Sequence, residues 1–386
     1  MMKRILIVGS WGTTHVRRFL RLLNENKGSL VVDSFDPRLD DNQGNECNVD
    51  HVFRVNASSV ERFFYSIRKF GTFLFERKQE REFERIVSTC HYDLVNIHFL
   101  PTNSERYVKI AHRHNTKVML TPTGSDVLRT KKMYLPSLHR AFNECDYVSC
   151  NTVTGFYHQV ADKFSIPDYK IRDLSYGSET LTAIIKMKGK YSRKEFCEML
   201  GVPYSPYYIC CGYTGSIAQR HDIMIEALAK NKQYLPEGYR LIIPLSYGPA
   251  KDTLNISLAQ LCDKYEMPYS LLTHYLTSEQ VACLRFISDL FIHIQPTDAY
   301  NASLQEFLLA DTEVINGKWL SYPSLETVGM PYHILKSLED LPDLLGKVLR
   351  REVARPVLSK ETEKEIIGGE WAKKINDWVH FYSNVE

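Results

Sequence analysis

The chain of 386 residues is too long for one ordinary hydrophobic core, and its apolar content of 44% is ample for two domains. Charged residues are nearly balanced at a net charge of +2, which argues against a dedicated nucleic-acid-binding protein. No stretch approaches the ~20 apolar residues that span a bilayer, and "MMKRILIVGS" is typical of a first β-strand rather than of a signal peptide.

The nine cysteines are scattered and lack C-x-x-C spacing. Adjacent Cys210 and Cys211 lie inside an apolar run. This usage favours thiols buried in a reducing cytoplasm over a disulfide framework or a zinc site. A cytoplasmic protein without a metal centre is therefore expected.

The first half of the chain alternates short apolar runs with helical periodicity. The predicted strands include "RILIVGS", "SLVVDSFD", "YDLVNIHF", "KVMLTP" and "YVSCNT", and the first predicted helix is "THVRRFLRLLNEN". Runs that are continuously apolar, rather than alternating, indicate a parallel sheet that is covered on both faces.

The second half restarts this pattern with "YYICC", "RLIIPLSYG", "YSLLTHYL", "DLFIHIQPT" and "EVING", again separated by helical segments such as "DIMIEALAKN". The chain is therefore predicted to be α/β, with two doubly wound units. A link is expected between Ser178 and Tyr207, and its basic segment "IKMKGKYSRK" is expected to be poor in helix. The final "GGEWAKKINDWVHFY" places apolar residues at helical spacing and predicts a helix that packs on a partner surface.

Ligands of open α/β sheets bind where the carboxyl ends of the strands meet helix N-termini. After the first strand, Gly9, Ser10 and Gly12 let the backbone approach a ligand, and His15 could meet a substrate. Trp11 occupies space that the dinucleotide G-x-G-x-x-G motif keeps empty, so a nicotinamide-dependent enzyme is disfavoured.

A second turn, "TGSD", follows the strand "KVMLTP". It supplies a glycine, a hydroxyl and the carboxylate of Asp126. That carboxylate could act on a substrate, or it could only cap the next helix, and the sequence leaves both open.

The corresponding loop of the second half is "GYTGSIAQRHD". Gly212, Gly215 and Ser216 precede Arg220, and a helix is expected to begin near Asp222. A glycine turn, a fixed cation and a helix N-terminus together predict a diphosphate cradle. His221 could contact the same phosphates or lie at the surface.

Two carboxylates follow the strand "DLFIHIQPT". Asp298 ends it, and Glu306 lies in a helix expected over Ala302–Leu309, which carries Ser303 near its start. One carboxylate could take sugar hydroxyls and the other a ribose diol. The alternative is a turn residue and a solvated helix position, but an acid without a partner in the apolar frame "SLQEFLLA" would be costly.

These motifs, in this order, resemble the "group 1" family of GT-B glycosyltransferases. Asp298 and Glu306 resemble its pair of glutamates seven residues apart. The segments "IVGSWGTTHVRRFL", "LTPTGSDVL" and "CGYTGSIAQRHDIMIEAL" resemble its first loop, its Gly-Ser-Asp turn and its diphosphate-binding segment.

The resemblance implies two Rossmann-like domains facing each other across a cleft: an acceptor domain at 1–180, a nucleotide-sugar domain at 181–365, and a helix at 366–386 that returns to the first domain. It implies transfer of a sugar from a nucleotide-diphospho-sugar to a glycan or lipid-linked acceptor in surface polysaccharide biosynthesis, with retention and without metal or other cofactor. The implied catalytic residues are Asp298, Glu306, Asp126 and His15. The implied donor-binding residues are Gly9, Ser10, Gly12, Gly212, Gly215, Ser216, Arg220 and Ser303.

The chain departs from the family at three positions, which marks it as divergent. Asp298 stands where the family has Glu, so Asp298→Glu is expected to be tolerated. Tyr213 stands where Arg is common, and Thr123 where His or Trp is frequent. Two alternatives stay open: a degenerate GT-B subunit that binds glycan or a partner transferase without turnover, and a sugar-nucleotide epimerase of the same fold.

The segment Ser59–Ile86 interleaves phenylalanines with arginines and lysines, including Phe63, Phe70, Arg68 and Lys69. Such a pattern suits an anionic membrane interface. The alternative is an ordinary helix pair that packs on its own domain. The interface interpretation predicts a polyprenyl-diphosphate-linked acceptor at the inner face of the membrane.

Overall fold

The computed structural model describes residues 2–39, 49–151, 155–298, 302–320, 322–327 and 329–385. Residues 299–301, which belong to the two-carboxylate motif, and the side chains of Arg68 and Lys69 lie outside this description. Internal contacts divide the chain into two compact units. The N-terminal unit comprises Met1–Gly177 and Ala372–Glu386, and the C-terminal unit comprises Ser178–Trp371.

The N-terminal unit contains a seven-stranded parallel sheet in the order β3-β2-β1-β4-β5-β6-β7. Its strands are β1 (Arg4–Val8), β2 (Val31–Leu39), β3 (His51–Val55), β4 (Leu94–His98), β5 (Lys117–Thr121), β6 (Tyr147–Ser149) and β7 (Ile171–Arg172). Its helices are α1 (Thr14–Asn26), α2 (Ser59–Tyr65), α3 (Arg68–Thr89), α4 (Ser104–Arg113), α5 (Ser125–Leu128), α6 (Leu135–Glu144) and α7 (Gly155–Phe164).

The C-terminal unit contains a six-stranded parallel sheet in the order β10-β9-β8-β11-β12-β13. Its strands are β8 (Tyr207–Cys211), β9 (Tyr239–Pro244), β10 (Tyr269–Leu272), β11 (Ser288–His293), β12 (Glu313–Gly317) and β13 (His333–Leu335). Its helices are α8 (Glu179–Met187), α9 (Arg193–Leu200), α10 (His221–Ala229), α11 (Lys251–Lys264), α12 (Ser278–Ile287), α13 (Ala302–Leu309), α14 (Pro323–Glu326), α15 (Leu341–Leu349) and α16 (Lys360–Gly368).

The predicted fold class, α/β with two doubly wound parallel sheets, is confirmed. The central strands are buried on both faces: every residue of β4 and of β12 is buried. Helices that cover both faces explain why the apolar residues of these strands do not alternate with solvated ones. The polar residues of the two strands, Asn96, His98, Glu313 and Asn316, are also buried and have hydrogen-bond partners.

The link from Ser178 to Tyr207 forms α8 and α9, and of the segment expected to be poor in helix only residues 188–192 lie outside both helices. Ser178 caps α8 by accepting the amide of Leu181, and Ser192 forms a capping box with Glu195. The apolar residues of both helices pack into the core of the C-terminal unit, among them Leu181, Ile184, Met187, Phe196 and Leu200. Of the basic residues that suggested a linker, Lys186, Lys188, Lys190 and Lys194 are exposed, whereas Arg193 is half-buried and pairs with Asp289.

The last helix, α17 (Trp371–Ser383), supplies its aromatic stripe to the N-terminal unit. The indole of Trp378 is fully buried and donates to the carbonyl of Ser175 at 3.0 Å. Asn96 of β4 donates to the hydroxyl of Tyr382 at 2.7 Å. Packing into the core of the N-terminal unit therefore explains why this helix carries aromatic residues.

Candidate functional site

The carboxyl edge of the C-terminal sheet gathers most of the predicted donor-binding residues. Strands β8, β11 and β12 are adjacent and parallel, so the loops that follow them emerge at the same edge. These loops carry residues 212–220, residues 294–298, and residues 318–320 with Tyr322. Loops from three different strands therefore meet at one edge of this sheet.

The loop after β8 is held by its two predicted glycines, in different ways. Gly212 has a φ of 68°, and a Cβ there would lie 2.8 Å from the Nε2 of His221. Gly215 donates its amide to the carbonyl of Tyr247 at 2.7 Å, so that amide already has a partner within the unit. Ser216 accepts the amide of Ala218 and so caps a short 3₁₀ turn. The imidazole of His221 therefore occupies the space next to Gly212.

Arg220 is a half-buried cation at the N-terminus of α10. Its φ of 61° is unusual for a residue with a side chain. The guanidinium donates to the carbonyl of Ile294, at the end of β11, at 2.9 Å. It also lies 5.8 Å from the ring centroid of Trp319. Arg220 has no carboxylate partner within ion-pair distance among the described residues, which leaves its positive charge uncompensated beside the helix N-terminus.

A network of neutral side chains lies beside Arg220, and the sequence interpretation missed it. Gln219 is buried, accepts the amide of Tyr213 at 3.1 Å and donates to Gln295 at 2.8 Å. The hydroxyl of Tyr213 donates to the same Gln295 oxygen at 3.2 Å. Gln295 therefore ties the loop after β8 to the loop after β11.

His221, the first residue of α10, is only 1% exposed, so the alternative of a surface histidine is wrong. Neither of its ring nitrogens has a hydrogen-bond partner within the described protein. Burial lowers the pKa of its imidazole to about 4, against 6.5 for an ordinary histidine. His221 is therefore neutral at pH 7, with unsatisfied hydrogen-bonding capacity next to Gly212.

Glu306 is 5% exposed and is held by an ion pair that the sequence did not predict. The Nε and one terminal nitrogen of Arg285, a residue of α12, donate to its Oε2 at 3.2 and 2.9 Å. Ser178 donates to its Oε1 at 2.8 Å. The same Arg285 nitrogen contacts the hydroxyl of Ser303 at 3.1 Å. The alternative of a solvated helix position for Glu306 is therefore wrong.

Arg285 is itself buried, at 4% exposure, and stacks 4.1 Å from the ring centroid of Phe307. Its second terminal nitrogen is buried and has no hydrogen-bond partner within the described protein. A buried guanidinium needs a carboxylate, and Glu306 supplies it. Any ribose contact by Glu306 would share the carboxylate with this pair.

Asp298 is partly buried just after β11 and is engaged by side chains of its own unit. The hydroxyl of Tyr322 donates to its Oδ2 at 2.7 Å. The Nε2 of His293 lies 3.7 Å from the same oxygen. Asp298 thus occupies the predicted strand end in a defined orientation.

In the N-terminal unit, the loop after β1 is filled by its own tryptophan. Trp11 is 1% exposed, and its indole donates to Ser34 at 2.8 Å. A Cβ on Gly12 would collide with the guanidinium of Arg38, and one on Gly9 would touch Val16 and His98. Packing therefore explains Gly9, whereas the group beside Gly12 is the flexible end of a half-exposed arginine.

Ser10 and His15 lie on either side of this turn. The carbonyl of Ser10 accepts the amide of Thr13 at 3.0 Å, which closes the turn into α1. The side chain of His15 is exposed, with its ring 6.1 Å from that of Tyr176. A substrate role for His15 stays a prediction.

Asp126 organises the turn after β5. Its carboxylate accepts the amides of Leu100, Thr123 and Gly124 at 2.8–3.2 Å. Burial raises the pKa of this carboxyl, and the three amides oppose that shift. This geometry describes a cap that joins two strand-end loops, and a direct role in catalysis stays a prediction.

His98, at the end of β4, was not identified from the sequence. It is 1% exposed and its Nδ1 is bonded to the hydroxyl of Tyr176. Its Nε2 has no partner within the described protein, and burial lowers the pKa of the ring to about 3. A single histidine in a continuous apolar strand carries no local signal that separates it from a core residue.

The described parts of the chain show neither a cluster of metal ligands nor a membrane-spanning helix. Within them, no group of three or more His, Cys, Asp or Glu side chains is arranged to hold a metal ion. No helix of the described residues combines the length and apolar character needed to cross a membrane. The eight described cysteines are unpaired, and all but Cys90 are buried.

The whole chain has the same fold as several solved structures. It aligns with sucrose-phosphate synthase from Thermosynechococcus elongatus at a TM-score of 0.70, with 12% identity and 98% of each chain covered. It aligns with HepE of Anabaena in complex with UDP at a TM-score of 0.70, with 11% identity, covering 99% of this chain and 100% of that one. The N-terminal domain of trehalose-6-phosphate phosphatase from Candida albicans gives a TM-score of 0.72 at 11% identity, with 100% and 97% covered.

No protein-family model matches the sequence, and no curated protein matches it. At such low identity the structural similarity shows the fold alone. The resemblance to GT-B glycosyltransferases that the sequence motifs indicated is confirmed at that level: this chain has a divergent GT-B fold.

Proposed function

We propose that this protein is a glycosyltransferase that moves a sugar from a nucleotide-diphospho-sugar to a glycan or lipid-linked acceptor, as in the biosynthesis of surface polysaccharides. The observation that carries the proposal is the uncompensated, fixed charge of Arg220 at the N-terminus of α10, on the sheet edge that also holds Asp298. The HepE structure, which shares the fold, is a complex with UDP.

The donor diphosphate binds at the loop after β8. The guanidinium of Arg220 and the first amides of α10 offset its negative charge, so they can stabilise the leaving nucleoside diphosphate without a metal ion. The neutral imidazole of His221 offers one further hydrogen bond. The resemblance to the "group 1" family further favours retention of configuration at the transferred sugar.

The two carboxylates divide the rest of the donor. Glu306 holds the nucleotide ribose, with its orientation set by Arg285 and Ser178. Asp298 acts on the sugar side, with its orientation set by Tyr322. Carboxylate-to-hydroxyl hydrogen bonds are charge-assisted, and each is expected to contribute about 1.5–3 kcal/mol.

A second candidate is a GT-B subunit that binds a glycan or a partner transferase without turnover. Tyr213 and Gln219 favour it, because both are bonded to Gln295 and neither brings a positive charge to the diphosphate. Gly215 also favours this candidate, because its amide already donates to the carbonyl of Tyr247.

Turnover separates the two candidates. The purified chain is incubated with a panel of nucleotide-sugars, beginning with UDP-glucose, with and without extracted lipid-linked glycans, and released nucleoside diphosphate is measured. A transferase releases it faster when the acceptor is present. The binding subunit releases none with any donor, and an epimerase converts the donor without an acceptor.

We also propose that the hairpin of α2 and α3 contacts an anionic membrane and brings the protein to a lipid-linked acceptor at its inner face. Six large apolar side chains of this hairpin are at least 42% exposed: Val60, Phe63, Phe64, Ile67, Phe70 and Phe73. Beside them lies a groove of about 660 Å³ lined by Phe64, Phe73, Arg77 and Arg113. Exposed aromatic residues with basic neighbours suit the interfacial region of a bilayer.

A further inference from the structure

Trp319, in the loop after β12, lies directly against Gly317, the last residue of that strand. A Cβ at Gly317 would lie 2.5 Å from the Cε2 and Cζ2 atoms of the indole, which is closer than real Cβ contacts come. The backbone of Gly317 is outside the left-handed region that favours glycine. The indole, and not the backbone conformation, therefore requires a glycine at position 317.

Two further contacts fix the orientation of this indole. Its Nε1 donates to the carbonyl of Gln295, in the loop after β11, at 2.7 Å. Its ring packs against both apolar cores of the C-terminal unit, one on each face of the sheet. Trp319 is nevertheless only half-buried, so part of the ring remains exposed at the carboxyl edge. A rigid aromatic surface is thus held at the edge that also carries Arg220.

Arg220 and Trp319 bind consecutive residues of the loop after β11. One terminal nitrogen of Arg220 donates to the carbonyl of Ile294 at 2.9 Å, and the indole donates to the carbonyl of Gln295. The Cζ of Arg220 lies 5.8 Å from the centroid of the indole ring, within the range of a cation–π interaction. The carbonyl holds the guanidinium at one nitrogen, and the attraction of the ring limits how the rest of the group can turn.

We propose that Trp319 is a positioning residue, whose indole holds the guanidinium of Arg220 in the orientation that meets the donor diphosphate. Gly317 leaves the space that the indole needs. The inference rests on the proposed function, because the diphosphate is the ligand that Arg220 meets. Holding an arginine before its ligand arrives reduces the conformational entropy that is lost on binding, so the indole contributes to affinity through Arg220.

Calorimetric titration with UDP measures this contribution. Trp319→Leu removes the aromatic face, and the Kd for UDP is expected to rise roughly 5-fold, which corresponds to the loss of one cation–π interaction. The matched control is Tyr234→Leu, which removes a ring that lies 4.5 Å from the Cζ of Arg350 in the same unit. The control should leave the Kd for UDP unchanged. An equal rise in both variants, or no rise with Trp319→Leu, would overturn the proposal.

Two double-mutant cycles show whether the indole acts through Arg220. In an Arg220→Gln background, Trp319→Leu should raise the Kd for UDP no further, because the guanidinium that the indole holds is gone. Gly317→Ala should raise the Kd in otherwise wild-type protein, because its Cβ displaces the indole, but not in a Trp319→Leu background. Effects that simply add in either cycle would overturn the proposal.

Fluorescence tests the packing without any ligand. The chain has four tryptophans, of which Trp11, Trp371 and Trp378 are buried and Trp319 is half-buried. The emission of Trp319 is obtained by subtracting the spectrum of Trp319→Phe. Gly317→Ala should shift this emission to longer wavelength as the indole moves towards solvent, and an unchanged emission would overturn the proposal. Absence of UDP binding and of turnover in wild-type protein with the whole donor panel would instead overturn the proposed function.

Discussion

The buried pair of Arg285 and Glu306 makes a quantitative prediction about stability. Glu306→Gln keeps the shape of the side chain and one acceptor oxygen but removes the negative charge. Arg285 then remains charged at 4% exposure, with one terminal nitrogen already without a partner in the described protein. Breaking a buried ion pair on one side typically costs 3–5 kcal/mol. Because glutamine can still accept a hydrogen bond, the expected loss in the free energy of unfolding is about 3 kcal/mol.

The double variant, Arg285→Met with Glu306→Gln, tests the cause of that loss. It removes the buried positive charge together with its partner, so it is expected to be no less stable than Glu306→Gln alone. A matched exposed pair in the same unit serves as control. The carboxylate of Glu266 lies 3.4 Å from Lys232 and is 88% exposed, so Glu266→Gln is expected to cause no measurable loss.

The assay must report the two units separately, since a chain of this size need not unfold in one step. Urea unfolding that is monitored by hydrogen exchange and mass spectrometry reports each unit separately, because each peptide is assigned to its unit. The expected loss is confined to peptides of the C-terminal unit. A loss below about 1 kcal/mol for Glu306→Gln, or a double variant that loses the sum of the two single changes, would refute the reasoning.

Three further predictions concern ligand binding, pH and membranes. Asp298→Asn should leave the Kd for UDP, measured by calorimetric titration, nearly unchanged, while kcat in the turnover assay falls roughly 10-fold. Glu306→Gln should weaken UDP binding itself. Equal losses of UDP affinity in the two variants would contradict this division. The pKa of His221 is about 4 in the folded protein and 6.5 in the unfolded chain, so the unfolded chain takes up the proton first as the pH falls. The free energy of unfolding should decline by up to roughly 3 kcal/mol between pH 6.5 and 4. In His221→Gln, the free energy of unfolding measured with urea should depend less on pH in this range. The same pH dependence in the variant and the wild type would count against an uncharged, buried imidazole. Phe70→Ser should reduce co-sedimentation with phosphatidylserine vesicles, whereas Val357→Ser, at an exposed valine of the C-terminal unit, should not; retention of full binding by Phe70→Ser argues for an ordinary helix pair.

The sequence predicted the elements whose identity depends on local pattern. Strand β8 and residues 290–292 of β11 are continuously apolar because both faces are buried. The helix expected over Ala302–Leu309 is α13, with the same bounds. Once the strands are placed, a parallel sheet brings Gly212 and Asp298 to one edge without further information.

The sequence could not predict which distant side chains pair. Arg285 lies on a helix with several polar residues, where an arginine ordinarily suggests a solvated face, and its partner is on another helix. Tyr322 has no spacing that relates it to Asp298. Its contact depends on the packing of β11 against β12, and that register becomes visible only in the folded unit.

The helices on either side of residues 188–192 show a different limit. The lysines of "IKMKGKYSRK" suggested a segment poor in helix, but a helix tolerates such residues on its exposed side. The apolar spacing of Leu181, Ile184 and Met187 decides the structure, because burying these side chains stabilises α8 more than its charges oppose it.

The central claim is that the carboxyl edge of the C-terminal sheet binds the donor, and hydrogen exchange with UDP and UDP-glucose tests it most directly. Amides of the loop 212–220 and the first turn of α10 are expected to become protected by either ligand. UDP-glucose should add protection around Asp298, because the sugar is present only in that ligand. Protection confined to the loop after β1 in the N-terminal unit, or none with any nucleoside diphosphate, would contradict the claim.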